Sequence, residues 1–123
     1  RENANEHHDW LFSQQPLHFT IQLASFDEPA GVVAFLDRLS FSSDPRLHQL
    51  EAISRGRFWT YFVYGSFSDK ATAEATKASI KQNQGLVRIF GKLQKSRCLS
   101  WYLSDAQTPE LSQYCTNIDF QPK

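Results

Sequence analysis

Residues His18 to Phe26 read HFTIQLASF, with Phe19, Ile21 and Leu23 alternating with His18, Thr20 and Gln22. That two-residue period predicts a strand with one buried face. Asp27-Glu28-Pro29 follows as a helix start, and Val32, Phe35, Leu36 and Leu39 recur at helical spacing, so the pattern predicts an amphipathic helix ending near Ser40. Leu47 to Ser54 is a weaker, more polar strand suited to an edge. A short turn at Arg55-Gly56-Arg57 leads into Phe58 to Phe67, the stretch richest in aromatic and β-branched residues. Ser68-Asp69 caps a second helix, which runs past Ile80 and stops at Gly85. Leu86 to Leu93, LVRIFGKL, is a fourth strand. The segments on either side have no such regularity. Arg1 to Pro16 reads as a polar lead-in anchored by Trp10, Leu11 and Phe12, and Gln94 to Lys123 shows aromatic residues without a period.

The order is therefore β-α-β-β-α-β, and an internal echo supports it. Leu23-Ala24-Ser25-Phe26-Asp27-Glu28-Pro29-Ala30 aligns with Tyr64-Gly65-Ser66-Phe67-Ser68-Asp69-Lys70-Ala71, each copy a strand end and a helix start. Two such units make an α+β, ferredoxin-like or RNP-like fold. It has a four-stranded antiparallel sheet with the first and third strands central. Right-handed crossovers put both helices on one face. The domain is expected over residues 17–94, with extensions at 1–16 and 95–123.

Alternation then assigns faces. Phe19, Ile21, Leu23, Thr60, Phe62, Tyr64, Val87 and Ile89 turn to the helices, with Phe26 and Phe67 as equivalent core residues at the two corners. Gln22, Trp59, Tyr61, Val63, Arg88 and Phe90 are left for an open face. Flat rings beside an amide and a guanidinium suit a binding surface, unless a terminal extension covers them.

Composition narrows the function. At 41% hydrophobic and 14% aromatic residues, the chain is globular and can bury one core. Thirteen basic and thirteen acidic residues cancel, against the basic excess of a nucleic-acid binder or a polybasic membrane patch. The polar start lacks the apolar segment of a signal peptide, and a first residue other than Met is expected of a mature or excised segment. The chain has no phosphate loop and no nucleophile elbow. The carboxylates Asp27, Glu28 and Asp69 are accounted for by helix starts, and Ser25 and Ser66 have no histidine placed to serve both. No enzyme, cofactor or metal site is expected; adjacent His7 and His8 point apart in an extended chain. Cys98 and Cys115 are either separate buried thiols or a disulfide pinning the tail.

Three motifs in order resemble the bacterial SPOR domain, the sporulation-related repeat that binds peptidoglycan. They are IQLASF at Ile21 to Phe26, FVYGSFSDKATAEA at Phe62 to Ala75 and VRIF at Val87 to Phe90. Trp10 to Ser25 is most similar to the DamX type of this family, found in a cell-division protein. The resemblance implies binding of septal glycan strands stripped of stem peptides. It also implies a periplasmic location, as the exported part of an inner-membrane-anchored protein at the division septum. It carries glycan contact onto Gln22, Ser25 and Trp59; the face assignment adds Tyr61 and Arg88. An exported location favours the Cys98–Cys115 disulfide.

Two other readings share the fold. An RNA-recognition domain would stack bases on first- and third-strand aromatics, but Gln22 holds the first-strand position and the chain is neutral. A protein–protein adaptor of the cell envelope would use a sheet edge or the tail, with other division proteins as partners.

Overall fold

The computed structural model describes residues 4–54, 56–80, 85–103 and 111–115. The elements in order are α1 (Ala4–Ser13), β1 (Phe19–Phe26), α2 (Pro29–Arg38), β2 (Leu47–Ser54), β3 (Arg57–Phe67), α3 (Lys70–Ser79), β4 (Leu86–Ile89), α4 (Phe90–Leu103) and α5 (Ser112–Cys115). The four strands form one antiparallel sheet in the order β2-β3-β1-β4, so β1 and β3 are central as expected.

Local chemistry explains the elements that were legible. Pro29 opens α2, where a missing N–H costs nothing. Asp69 caps α3 by accepting from the Thr72 N–H at 2.8 Å, a bond that also holds the Asp69 carboxyl below its usual range. The β2–β3 hairpin turns tightly at Gly56, whose φ of 76° lies in the left-handed region. The loop before β2 is tied by Asp44, which accepts from Arg46 and from the Tyr64 hydroxyl at 2.9 Å. Arg46 above all lowers its carboxyl to about 2.

One sheet face carries α2 and α3. Ile21, Leu23, Phe35, Leu39, Phe62 and Tyr64 are buried there, as alternation predicts. Phe26 and Phe67, expected as equivalent core residues at the two corners, both pack against this core and are both partly buried.

The extensions differ from the sequence reading. The lead-in holds a helix, α1, and the fourth strand ends at Ile89, four residues early, where the chain turns directly into α4. The Phe90 N–H donates to His18 O and the Gly91 N–H to Pro16 O, at 2.9 and 2.8 Å, in place of further ladder bonds. A Cβ on Gly91 would lie 3.0 Å from Pro16 O, so glycine permits this close approach. Gln94, on α4 and buried, donates to the carbonyls of Leu11 and Gln14 at 3.0 Å each. It thereby adds a second donor to Leu11 O, which already accepts from the Gln14 N–H at 3.3 Å, and satisfies the Gln14 carbonyl just past the end of α1. Cys98 of α4 and Cys115 of α5 form a disulfide with Cα atoms 5.2 Å apart. Among the described residues no helix is long and apolar enough to cross a membrane.

Candidate functional site

The face opposite α2 and α3 is split in two. Over β2 and β3, α1 and α4 close it. Leu11, Leu50, Val63, Phe90 and Leu93 are buried together, with Trp10, Phe12 and Tyr61 packed around them. Phe90, expected to face outward, is 0% exposed. Its ring meets the edge of Trp10 with centroids 5.4 Å apart. Val63 lies on the expected face and is likewise wholly buried. Thr20, also on this face, is buried because its hydroxyl bonds back into the sheet, donating to Gly65 O at 2.7 Å.

Polar contacts seal this cover along the β2 edge. Trp10 stacks on His48 at 3.7 Å, and the Nδ1 atoms of His7 and His48 lie 3.1 Å apart. The His8 Nε2 accepts from Arg97 Nε at 3.3 Å. Burial pushes the Arg97 guanidinium below its ordinary value, and the nearby charge of Glu51 opposes that.

The other part of the face, toward β4 and the Phe26 end of β1, carries Gln22, Ser25, Trp59, Leu86 and Arg88. All are partly or largely exposed. Strict alternation would send Gln22 and Ser25 to opposite faces. A bulge prevents this. Gln22 pairs with Val63 but Ala24 pairs with Phe62, so β1 holds one extra residue at Leu23–Ala24. Both of those side chains turn to the helix-backed core, and Ser25, opposite Tyr61, returns to the same face as Gln22. Trp59 joins them through β3, two positions beyond Tyr61 and opposite Ala52 of β2.

On the edge strand β4, Arg88 pairs with Thr20 and Leu86 with Gln22, which places both on this face. The Arg88 Nη1 donates to Gln22 Oε1 at 2.5 Å. Leu86 stands beside them 53% exposed. The sequence reading did not name it, although turning Val87 and Ile89 inward leaves both Leu86 and Arg88 outside. Of the five expected residues, Gln22, Ser25, Trp59 and Arg88 share this exposed region. Tyr61 sits at its border, packed against the cluster under α1 and α4. The patch combines an indole, an aliphatic edge, a hydroxyl, an amide and one positive charge. Such a set can stack and hydrogen-bond an extended polar ligand.

The family model described as SPOR domain matches residues 16–89, from just before β1 to the last residue of β4. No curated protein and no solved structure matches the chain.

Proposed function

The chain belongs to the SPOR domain family, whose model spans more than half of it, and on that premise we propose that it binds glycan strands lacking stem peptides. The family binds peptidoglycan in cell division and is a binding rather than a catalytic family. The finer reading rests on one observation: Gln22, Ser25, Trp59 and Arg88 come together on the one part of the second sheet face that α1 and α4 leave uncovered. Amino sugars present apolar C–H faces and polar hydroxyl and acetamido edges. Trp59 packs on the former, with Tyr61 at the border of the patch. Gln22, Ser25 and Arg88 bond the latter. Binding of this kind targets a division protein to the septum from the periplasm, with membrane anchorage through a part outside this chain.

Co-sedimentation with purified sacculi, before and after an amidase has trimmed the stem peptides, tests the reading. Trimming is expected to raise the bound fraction severalfold. Equal binding to both preparations would leave a general peptidoglycan binder in place of one selective for bare strands. The salt dependence separates the domain from an RNA binder, for which affinity falls steeply with salt.

A further inference from the structure

The hydrogen bond between Arg88 and Gln22 fixes the polarity of the site. A guanidinium has donors and no acceptor, so the face of the Gln22 amide turned to it must be the oxygen. The 2.5 Å contact from Arg88 Nη1 to Gln22 Oε1 therefore takes one of the amide oxygen's two lone pairs and directs its NH2 group away from Arg88. The guanidinium bonds to a neutral amide, so that bond does not cancel its charge. Arg88 lies on a four-residue edge strand, and both side chains retain partial exposure. What this pair offers a ligand is N–H donors and one positive charge.

We propose that Gln22 and Arg88 together read the free lactyl carboxylate of a muramic acid residue. The inference rests on the glycan reading above and gives it a chemical cause. With a stem peptide attached, that carbon is a neutral secondary amide, bulkier than the acid and carrying an N–H donor of its own. Hydrolysis of the amide by water releases the peptide amine and leaves a carboxylate, which is acceptor-only. The donor-rich pair gains a charge-assisted bond with the carboxylate that the neutral amide cannot match. Selection for bare strands then comes from charge as well as from the smaller size of the acid.

The test uses peptide-free strands made by amidase digestion. Half are left as the acid and half are converted by carbodiimide and ammonium to the primary carboxamide, which has nearly the same size and no charge. Affinities of the whole chain for the two are compared by calorimetry. The acid is expected to bind about tenfold more tightly, the scale of one charge-assisted bond. Arg88→Gln should bring the two affinities within about twofold of each other, while Trp59→Ala weakens both and keeps their ratio. A second readout needs no variant: binding of the acid weakens with salt while binding of the carboxamide stays flat. Equal affinity of the parent chain for acid and carboxamide overturns the carboxylate readout and leaves glycan binding standing. Failure to bind either form overturns the glycan reading and the inference with it.

Discussion

The second sheet face holds two neighbouring regions put to opposite uses. Over β2 and β3, Val63, Leu50 and Phe90 are sealed by α1 and α4 and add a second core to the one under α2 and α3. Next to them, β1 and β4 keep Gln22, Arg88, Ser25 and Leu86 in contact with solvent, with Trp59 of β3 on the same face. The difference lies in what the strands present. The sealed half presents aliphatic and aromatic groups that gain by leaving water. The other half presents an amide, a hydroxyl and a guanidinium that lose unless a partner replaces the water. Where the strands themselves present the Arg88 guanidinium and the Gln22 amide, the surface stays open to solvent.

The largest expected effect separates the halves by stability. Phe90→Ala removes a wholly buried ring at the junction of β4, α1 and α4 and should cost about 3–5 kcal/mol. Leu86→Ala, four residues earlier and mostly exposed, should cost less than about 0.5 kcal/mol. Urea unfolding of both variants measures this. A Phe90→Ala cost below about 1 kcal/mol would mean that α4 does not cover the sheet in solution.

The disulfide comes next. It joins α4 to the short α5, whose Tyr114 stacks on Phe12 of α1 at 4.7 Å, so both extensions hang on it. In the chain-entropy model a loop of this length stabilises by roughly 3 kcal/mol. Reduction and alkylation should lower the melting temperature and speed amide exchange in α1 and α4 more than in β1. Uniform acceleration across the sheet would show that the extensions and the domain unfold as one unit, removing the distinction between the two halves.

Much of the helix-backed core was legible from the sequence because its signals are periodic. Ile21, Leu23, Phe62 and Tyr64 alternate cleanly, Phe35 and Leu39 sit at helical spacing, and the repeated corner fixed the strand order. The cover was not legible, for identifiable reasons. Leu86 to Phe90 continues to alternate across the point where the chain becomes helical. In α4 the buried positions include the polar residues Gln94 and Ser100 beside Leu93 and Cys98, while Leu99, Tyr102 and Leu103 stay exposed. A helix whose buried side is partly polar and whose exposed side is partly apolar has no single stripe to detect. On the exposed half, alternation assigned Gln22, Trp59 and Arg88 to the face they occupy. Ser25 came only through the family resemblance, because a bulge at Leu23–Ala24 breaks the period that would have assigned it.

On the exposed half, the third prediction concerns binding rather than stability. Trp59→Ala should weaken binding to peptide-free strands by about 2 kcal/mol, roughly 30-fold, as truncation of an aromatic anchor does. The melting temperature should change far less than in Phe90→Ala. Gln22→Ala should cost binding about 1 kcal/mol, since a sugar bond replaces one to water. If Trp59→Ala loses binding only in proportion to the fraction unfolded, the indole belongs to the sealed half.

The smallest effect probes how firmly the cover closes. Tyr114 of α5 donates its hydroxyl hydrogen to Asp9 of α1 at 2.6 Å while its ring stacks on Phe12. The bond to Asp9, and secondarily burial, raises the phenol above its ordinary value, because a phenolate would face the Asp9 carboxylate. The sign follows from that direction. A group raised on folding contributes fully below its unfolded value, near 10 for a phenol, and loses the contribution as pH rises through the folded value. Tyr114→Phe keeps the stack and removes the bond, and the bond is solvent-exposed, so its cost near pH 8 should stay below about 1 kcal/mol. The measurement is the difference in unfolding free energy between parent and variant from pH 8 to pH 11. Tyr64, also raised by burial and by its bond to Asp44, is present in both chains and cancels in the difference. The difference should shrink toward zero above pH 10. A difference that is already zero at pH 8 would mean that α1 and α5 are joined by the Phe12 stack alone, and that the cover closes through apolar contact without this polar latch.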